Sequence, residues 1–269
     1  MPKFFFSSLI ICFIFIPVSC TTDTGTESGK IIPPKVDEME AGNKIARAII
    51  NSAIKSAGLD NFDNAKASFY FREKQYTYEN KAGAYRYERK FTSENGNDII
   101  DVLTNNGFAR LTNGYSTALA EKKARAYSNS VNSVIYFAFL PFRLNDPAVE
   151  AKYLAKVDIN GKSYHKIKVS FLEEGGGDDF DDIFIYWFDI KNYRMDYLAY
   201  EYHTDGGGMR FREAFNARAV NGVTIQDYRN YKPWEKGSIP LDKIEIAFQN
   251  EELELLSEIV LENMEIEFE

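Results

Sequence analysis

The pattern of apolar and polar positions predicts three consecutive strands between residues 178 and 215, at residues 183–189, 193–203 and 209–215. The first of these strands is unusual because both of its faces are apolar. Its two sets of alternating residues are Ile183, Ile185 and Trp187, and Phe184, Tyr186 and Phe188. A strand with one solvated face would alternate apolar and polar residues. We therefore expect both faces to be covered, and what covers the second face becomes the functional question.

An amphipathic helix is predicted over residues 43–57. Apolar side chains recur there at helical spacing, at Ile45, Ile49, Ala53 and Ile54. Asn43 is the expected N-cap of this helix, and Gly58 is the expected stop. The apolar stripe of such a helix needs a sheet to pack against.

Short strands separated by turns account for most of the remaining chain. Before the middle of the chain they cover residues 65–75, 85–91, 99–103 and 108–111. A helix at residues 115–127 and a second short helix or buried run at residues 131–140 then interrupt the strands, and Pro141 ends the second segment. The further predicted strands cover residues 151–159, 164–172, 223–231, 244–248 and 259–268. The pair Asn160-Gly161 is the strongest hairpin signal among them.

This order of elements predicts a mainly β protein of the α+β class. A single twisted antiparallel sheet with this many strands curls, because the twist accumulates from strand to strand. We expect a half-barrel that carries an N-terminal helix. The central helical insertion is expected to cover the concave face, which would explain the apolar residues on both faces of residues 183–189.

The net charge and the positions of the cysteines disfavour several classes of function. The net charge is −8, which disfavours a nucleic-acid partner bound through its phosphates. The chain has two cysteines, Cys12 and Cys20, and both precede the predicted globular part. That part therefore has no thiol for a disulfide, a zinc–thiolate site or a cysteine nucleophile.

The N-terminal residues have the pattern of a targeting segment. A basic Lys3 is followed by an apolar run at residues 4–16 that is too short to span a bilayer. The small residues that precede Cys20 resemble the lipobox of bacterial lipoproteins, in which the cysteine becomes the acylated N-terminus. The alternative is an ordinary secretory signal in which Cys20 has no role.

These patterns predict three segments. They are a lipoprotein signal peptide at residues 1–19, a lipidated tether at residues 20–36, and a single half-barrel domain at residues 37–269. Acyl chains on Cys20 would attach the protein to a membrane. We therefore expect the cell envelope as its location, at the outer membrane, facing either the periplasm or the cell surface.

Several sequence segments resemble known families. The segments FLPFRLNDPAV (residues 139–149) and IYWFDIKNYRMDYL (residues 185–198), in this order of elements, resemble the outer-membrane lipoprotein-sorting carriers of Gram-negative bacteria. That resemblance implies a half-open β-barrel with helices across its mouth and a cavity for acyl chains. The segments LPFRLNDPAV, GGGDDFDD and YHTDGGGMRFREAF resemble a family of Bacteroidota lipoproteins, from which no activity can be transferred.

Two loops contain candidate polar sites. Asp178, Asp179, Asp181 and Asp182, beside three glycines, offer the oxygen ligands that Ca²⁺ prefers. Their spacing does not match the helix-loop-helix calcium signature, and a solvated hairpin loop is the simpler interpretation.

The second loop places His203 near two arginines. Alternation along the strand puts Arg210 and Arg212 on one face, opposite Met209 and Phe211, where they could bind a carboxylate or a phosphate, including a lipid headgroup. The simpler alternative is an ion pair with Glu201 or Asp196 on the neighbouring strand.

Support for catalysis is weak in this sequence. The chain has two histidines; one of them, His165, shares a strand face with Ile167, Val169 and Phe171 and is expected to point into the core or cavity. The sequence contains no Gly-x-Ser-x-Gly elbow, no His-Glu-x-x-His motif and no phosphate-binding Gly-Lys motif. We therefore expect a non-enzymatic protein without a required cofactor, with Ca²⁺ as the one candidate ion.

The sequence favours binding of a hydrophobic ligand, such as an acyl chain, a lipid or a lipoprotein, in the concave face. The predicted lining consists of Phe69, Phe71, Tyr85, Tyr87, Val134, Phe137, Leu140, Ile185, Trp187, Met195, Tyr197 and Phe211. The polar candidates for a headgroup are His165, His203, Arg210 and Arg212. Three alternatives stay open: a solid core without a cavity, a cell-surface module that binds protein or glycan, and a metal-dependent hydrolase.

Overall fold

The computed structural model describes residues 36–174, 181–203 and 206–269. This part of the chain contains three α-helices, which are Val36–Ser56 (α1), Glu121–Ala138 (α2) and Ile244–Gln249 (α3). The first eight strands are Asn64–Phe71 (β1), Lys74–Lys81 (β2), Ala84–Thr92 (β3), Asp98–Thr104 (β4), Gly107–Thr112 (β5), Tyr115–Ser116 (β6), Val149–Ile159 (β7) and Lys162–Phe171 (β8). The other six are Ile183–Asp189 (β9), Met195–Tyr202 (β10), Gly208–Val220 (β11), Val223–Pro233 (β12), Leu253–Ile259 (β13) and Glu262–Phe268 (β14).

The strands form two antiparallel sheets of seven strands each. In sheet A the order is β14-β1-β2-β3-β4-β5-β6, and in sheet B it is β13-β12-β11-β10-β9-β8-β7. Neither sheet closes on itself, and the result is an unclosed, curled, mainly β architecture of the half-barrel type. This architecture confirms the predicted fold class, although the strands divide into two sheets where the sequence suggested one.

The two sheets meet near the connection between β13 and β14, which are consecutive in the chain but lie at edges of different sheets. Asp227 of β12 is fully buried at this point, and Arg218 Nη1 lies 3.1 Å from its Oδ1. The same Oδ1 accepts a hydrogen bond of 3.0 Å from the backbone N–H of Leu261. A buried carboxylate with these partners fixes the turn that leads from sheet B into sheet A.

Helix α1 packs against β7 and the residues that follow α2. It begins at Val36, well before the predicted N-cap Asn43, which lies inside the helix. Ala46, Ile50 and Ala53 form its buried stripe, whereas Ile45 is 49% exposed. The helix ends at Ser56, just before the predicted stop Gly58, whose φ of +73° and close approach to the carbonyl oxygen of Gly222 both require glycine.

Helix α2 is one continuous helix where the sequence predicted two segments. Residues 115–120, expected to be helical, instead contain β6 and an extended connection. Residues 127–131 are helical without a break, and Val131 and Ile135 lie one turn apart on a single buried stripe of this helix. The helix packs against β3, β4 and β5 of sheet A.

Three strand predictions differ from the structure. Residues 65–75 split into β1 and β2 because Arg72 and Glu73 adopt positive φ angles of 49° and 62° in a tight turn that no Gly or Asn marks. Residues 244–248 form α3, although the alternation in IEIAF is typical of a strand. Ile244 and Ala247, three residues apart, face sheet B, and Ile246 is 48% exposed. The prediction of one strand at residues 259–268 also missed β13 as a separate strand.

Sheet B carries a hydrophobic core on each of its faces. The first core lies between the two sheets and includes α1, α2, Phe184, Tyr186 and Phe188. The second core lies under α3 and includes Ile185 and Trp187. Both faces of β9 are therefore covered, as its sequence predicted, and the second cover is α3.

No helix within the described residues is long and apolar enough to cross a membrane. The predicted signal peptide, Cys20 and the predicted tether up to residue 35 lie outside the described residues. The lipid anchor and the domain boundaries therefore stay predictions.

Candidate ligand-binding cavity

A cavity of about 1040 Å³ lies between α2 and the two sheets. On the side of sheet A it is lined by Phe71, Tyr78, Tyr85, Tyr87 and Leu103. On the side of sheet B its lining includes Phe171, Phe184, Tyr200, Arg210, Arg212 and Tyr228. Helix α2 contributes residues 128, 129 and 132–138, with exposed Asn132 and Ser133 among them, so the cavity reaches solvent beside this helix.

Aromatic contacts join α2 to sheet B across the cavity wall. The ring centroid of Phe137 lies 5.3 Å from that of Tyr200 and 6.3 Å from that of Phe184. The hydroxyl oxygens of Tyr136 and Tyr186 are 3.1 Å apart. Burial raises the pKa of both hydroxyls above its ordinary value, so the pair stays neutral at physiological pH.

Charged groups fasten α2 to sheet A on the other side. Asp101 of β4 is fully buried and accepts hydrogen bonds from Arg89 Nη2 at 2.6 Å and from Arg110 Nε at 2.6 Å. Arg89 Nη1 also donates to Ser130 Oγ at 2.7 Å, and the Arg110 guanidinium lies 3.7 Å from the centroid of the Tyr127 ring. The Asp101 carboxylate in sheet A therefore holds in place the two arginines that contact α2, the helix that covers the cavity.

Five residues of the predicted lining do line this cavity, and they are Phe71, Tyr85, Tyr87, Val134 and Phe137. Phe69 belongs instead to the packed first core, where its ring stacks on Tyr76 at 5.5 Å. Leu140 is buried beyond the end of α2, beside a small cleft that Ala53 and Met195 also line. Met195 lies on the first-core face because a register shift separates it from Tyr197.

The other four predicted lining residues lie on the wrong face of sheet B. Ile185, Trp187, Tyr197 and Phe211 belong to the second core under α3, so they cannot contact a ligand in the cavity. The reason is that β9 is apolar on both faces, and hydrophobicity alone did not distinguish the concave face from the other. The cavity face of these strands is that of Phe184 and Tyr200, and neither residue was among the predicted lining residues.

The sequence of β11 did indicate which face of sheet B lines the cavity. The sequence placed Arg210 and Arg212 opposite Met209 and Phe211, and the structure has the arginines in the cavity wall. Strand pairing sets Arg210 opposite Tyr200, and Tyr200 opposite Phe184. Residues directly opposite each other share a face, so extending the face of Arg210 across the sheet identifies Tyr200 and Phe184.

The alternative, an ion pair of these arginines with Glu201 or Asp196, is not formed. Glu201 alternates with Tyr200 and Tyr202 and so points away from the cavity. Asp196 Oδ1 accepts a hydrogen bond of 2.5 Å from Arg194, and its Oδ2 is 3.2 Å from Lys162 Nζ. Among the described residues, no carboxylate forms an ion pair with Arg212.

The two histidines lie outside the cavity lining. His165 shares the face of Ile167 and Val169, as predicted, but packs beside the rings of Tyr153 at 5.8 Å and Tyr193 at 6.2 Å. Burial, and then the charge of Lys156, lower the pKa of His165 below its ordinary value.

The second histidine approaches two acidic residues at the edge of the cavity. His203 Nδ1 lies 3.6 Å from Asp181 Oδ2 and 3.7 Å from Asp182 Oδ1. These three residues offer ligand atoms within 4.8 Å of one another, and Asp182 also lines the cavity. Asp178 and Asp179, the other candidate Ca²⁺ ligands, lie outside the described residues, so a four-aspartate site stays a prediction.

A family comparison covers nearly all of the described residues. The model of a family of unknown function, DUF6503, matches residues 35–262. The chain belongs to this family. All the residues that line the cavity fall within the DUF6503 match. No curated protein matches the chain in sequence.

Three solved structures with low sequence identity are similar to this chain. A LolA superfamily protein from Nitrosomonas europaea has 8% identity and a TM-score of 0.42, with 82% of this chain and 91% of that chain covered. A putative outer membrane lipoprotein-sorting protein domain from Vibrio parahaemolyticus has 7% identity and a TM-score of 0.43, with 70% and 86% covered. The lipoprotein LppX from Mycobacterium tuberculosis has 9% identity and a TM-score of 0.27, with 61% and 91% covered. Identities this low give no residue of this chain a role.

Proposed function

We propose that this protein binds the apolar part of a lipid or lipoprotein, such as an acyl chain, in the cavity between α2 and the two sheets. The observation that supports the proposal is the cavity itself, whose volume is about 1040 Å³ and whose walls are rich in aromatic side chains. Small-molecule sites in proteins are concave, mostly apolar and contain a few polar groups, and this cavity has all three features. Binding without catalysis is the function that this geometry supports best.

The apolar walls provide the driving force for such binding. Each methylene group removed from water contributes about 0.8 kcal/mol, so a chain of several methylenes gains substantial free energy here. Protein interiors are normally packed without voids larger than a water molecule. A space of this size within the fold, beside Phe137, Phe184 and Tyr200, is therefore suited to a ligand.

Native mass spectrometry tests this proposal. The full-length protein is purified from its own membranes in mild detergent, and its intact mass is compared before and after extraction with organic solvent. We expect extractable lipid in near-stoichiometric amount, and displacement of a bound apolar fluorescent dye by the same extract. Protein that carries no extractable lipid and binds no apolar dye would refute the proposal.

We also propose that Cys20 carries acyl chains that hold the protein at the cell envelope, at the outer membrane. The support is the sequence pattern before Cys20, since two or more chains give stable membrane attachment. Phase partitioning of the full-length protein and of Cys20→Ala in a cloud-point detergent tests it. We expect the wild type in the detergent phase and the variant in the aqueous phase, and equal partitioning would contradict the anchor.

A metal-dependent hydrolase is the second candidate, because Asp181, Asp182 and His203 lie close together beside the cavity. Carboxylates suit hard cations and imidazole suits transition metals, so the group does not favour one metal. Calorimetric titration with Ca²⁺ and with Zn²⁺ tests this function. The absence of binding to both metals would remove its basis.

A further inference from the structure

Among the described residues, three cationic side chains are buried, and only two of them are paired. Arg89 lies 2.6 Å from Asp101, and Lys166 lies 2.5 Å from Glu245. Arg212 is only 8% exposed and forms no ion pair with a described carboxylate. Charged side chains are almost never buried without a partner. The contacts within the described part of the protein therefore do not explain why the charged side chain of Arg212 is buried.

Aromatic groups surround the Arg212 guanidinium. Its Nη2 donates a hydrogen bond of 3.0 Å to the Tyr200 hydroxyl, and its Cζ lies 4.0 Å from the ring centroid of Phe137. A guanidinium has five N–H donors, and the described residues accept from one of them. Nε is buried without an acceptor. Cation–π contacts compensate part of the charge but do not give Nε an acceptor.

The cavity around Arg212 has an excess of positive charge. The charged residues in its lining are Arg143, Asp146, Asp182, Arg210 and Arg212, which are three cations against two anions. Arg143 Nη1 lies 3.5 Å from Asp146, so this pair is internally balanced. Asp182 is close to His203, at 3.7 Å. A locally cationic cavity in a protein of net charge −8 favours an anionic ligand group.

The charge is also unevenly distributed between the walls. The contributions of sheet A to the lining, including Tyr85, Tyr87 and Leu103, contain no charged residue. Arg210 and Arg212 both come from β11 in sheet B. A ligand that matches this cavity has one charged end at sheet B and an uncharged, apolar body that reaches sheet A.

We propose that the ligand is an amphiphile with an anionic headgroup, either a carboxylate or a phosphate, whose oxygens pair with the guanidinium of Arg212. This inference rests on the proposed function, because the same cavity holds the apolar chain. The planar fork of a guanidinium matches two oxygens of either anion. The ligand thus supplies the counter-charge and the acceptors that Arg212 lacks. Arg210, whose guanidinium lies 5.2 Å from the Tyr202 ring, adds positive charge beside the headgroup.

Dye displacement from the full-length protein tests the headgroup. Dodecanoate, dodecyl phosphate and dodecanol each have a dodecyl-length alkyl chain, and inorganic phosphate has no alkyl chain. We expect each dodecyl anion to bind at least about tenfold more tightly than dodecanol, because charge-assisted hydrogen bonds are the stronger ones. Arg212→Met is expected to abolish this preference, since it removes the guanidinium that pairs with the anion and keeps a side chain of similar length. The control is Arg86→Met, which removes an exposed arginine of β3 that pairs with Glu88 outside the cavity lining.

Each outcome separates this inference from the proposed function. Equal binding of the three dodecyl compounds by the wild type would overturn the anionic headgroup and leave hydrophobic binding in place. Inorganic phosphate that binds as tightly as dodecyl phosphate would also overturn it, because the ligand would then be a free anion. Displacement by none of the compounds would overturn both. If Arg212→Met does not fold, Arg212→Lys is tested in its place, since it keeps the positive charge and removes the planar guanidinium. A partial loss of the preference for anions is then expected. An unchanged preference would refute the pairing of the headgroup with the guanidinium.

Discussion

Tyr186 and Trp187 are consecutive residues of β9 that are both fully buried, yet they belong to two different cores. The Tyr186 hydroxyl meets Tyr136 of α2 at 3.1 Å. The Trp187 ring lies 5.7 Å from the Phe211 ring in the core under α3. Because β9 separates the two cores, substitutions on its two faces should affect different properties of the protein.

Trp187→Ala should destabilise the protein without changing ligand binding. Loss of a large buried aromatic side chain lowers the free energy of unfolding by about 3–5 kcal/mol. Urea denaturation measures this loss, and dye binding to the folded variant measures the cavity. Tyr186→Phe is the comparison on the opposite face; it removes one hydroxyl pair and should lower the free energy of unfolding by about 0.5–1.5 kcal/mol. Weakened binding by folded Trp187→Ala would contradict the assignment of faces.

Val134→Trp should block the cavity. Val134 lies on α2 within the lining, and a larger side chain there occupies the space that the ligand needs. We expect the affinity for an acyl-chain ligand to fall by about tenfold or more, which corresponds to a loss of about 1.4 kcal/mol of binding free energy. The matched control is Ala126→Trp, which places the same residue on the same helix at an exposed position outside the lining. Equal binding by the two variants would mean that the ligand lies elsewhere.

Asp101→Asn should loosen α2 and destabilise sheet A. Asp101 is the shared partner of Arg89 and Arg110, and its loss leaves two cations short of a counter-charge. Breaking a buried pair by removing one partner costs about 3–5 kcal/mol. Denaturation measures the stability, and hydrogen exchange of α2 amides reports the loosening. Asp98→Asn, an exposed position of the same strand, is the control, and a comparable loss from it would refute the role of burial.

The pair Lys166–Glu245 should hold α3 on sheet B. Lys166 Nζ lies 2.5 Å from Glu245 Oε1 and 2.8 Å from the carbonyl oxygen of Asp242. Glu245→Leu alone leaves a buried cation and should cost about 3–5 kcal/mol, whereas Lys166→Met with Glu245→Leu should recover much of that loss. A double-mutant cycle measured by urea denaturation gives the coupling. Additive effects of the two single substitutions would show that the pair is not coupled.

His165 should make stability fall under mildly acidic conditions. Burial and the charge of Lys156 lower its pKa in the folded protein below the ordinary value of 6.5. Between the two pKa values the unfolded chain binds more protons, so the free energy of unfolding decreases as pH falls through about 6.5 and levels off below the folded pKa. NMR titration of the two imidazoles gives the pKa directly. His165→Gln should remove this pH dependence and His203→Gln should retain it, and a His165 pKa at or above 6.5 would contradict the prediction.

Features with local causes were predicted correctly. The hairpin of β7 and β8 turns at Asn160 and Gly161, whose φ angles of 48° and 77° are those that Asn and Gly tolerate. The stop of α1 at Gly58 has the same kind of origin. Arg72 and Glu73 adopt similar angles without that chemistry, because the pairing of β1 with β2 imposes them. The sequence therefore predicted the turns that residues favour and missed the one that pairing enforces.

The sequence by itself determined that β9 is covered on both faces, because every one of its first six residues is apolar. Only the tertiary structure decided which face meets the cavity and what covers the other. The physical reason is that hydrophobicity records burial but carries no direction when both faces are equally apolar. The cover of the second face is α3, a segment with the alternation of a strand, which the surface of sheet B holds as a helix through Ile244 and Ala247. Long-range contacts of this kind also left Arg212 buried among aromatic rings, away from the carboxylates on neighbouring strands.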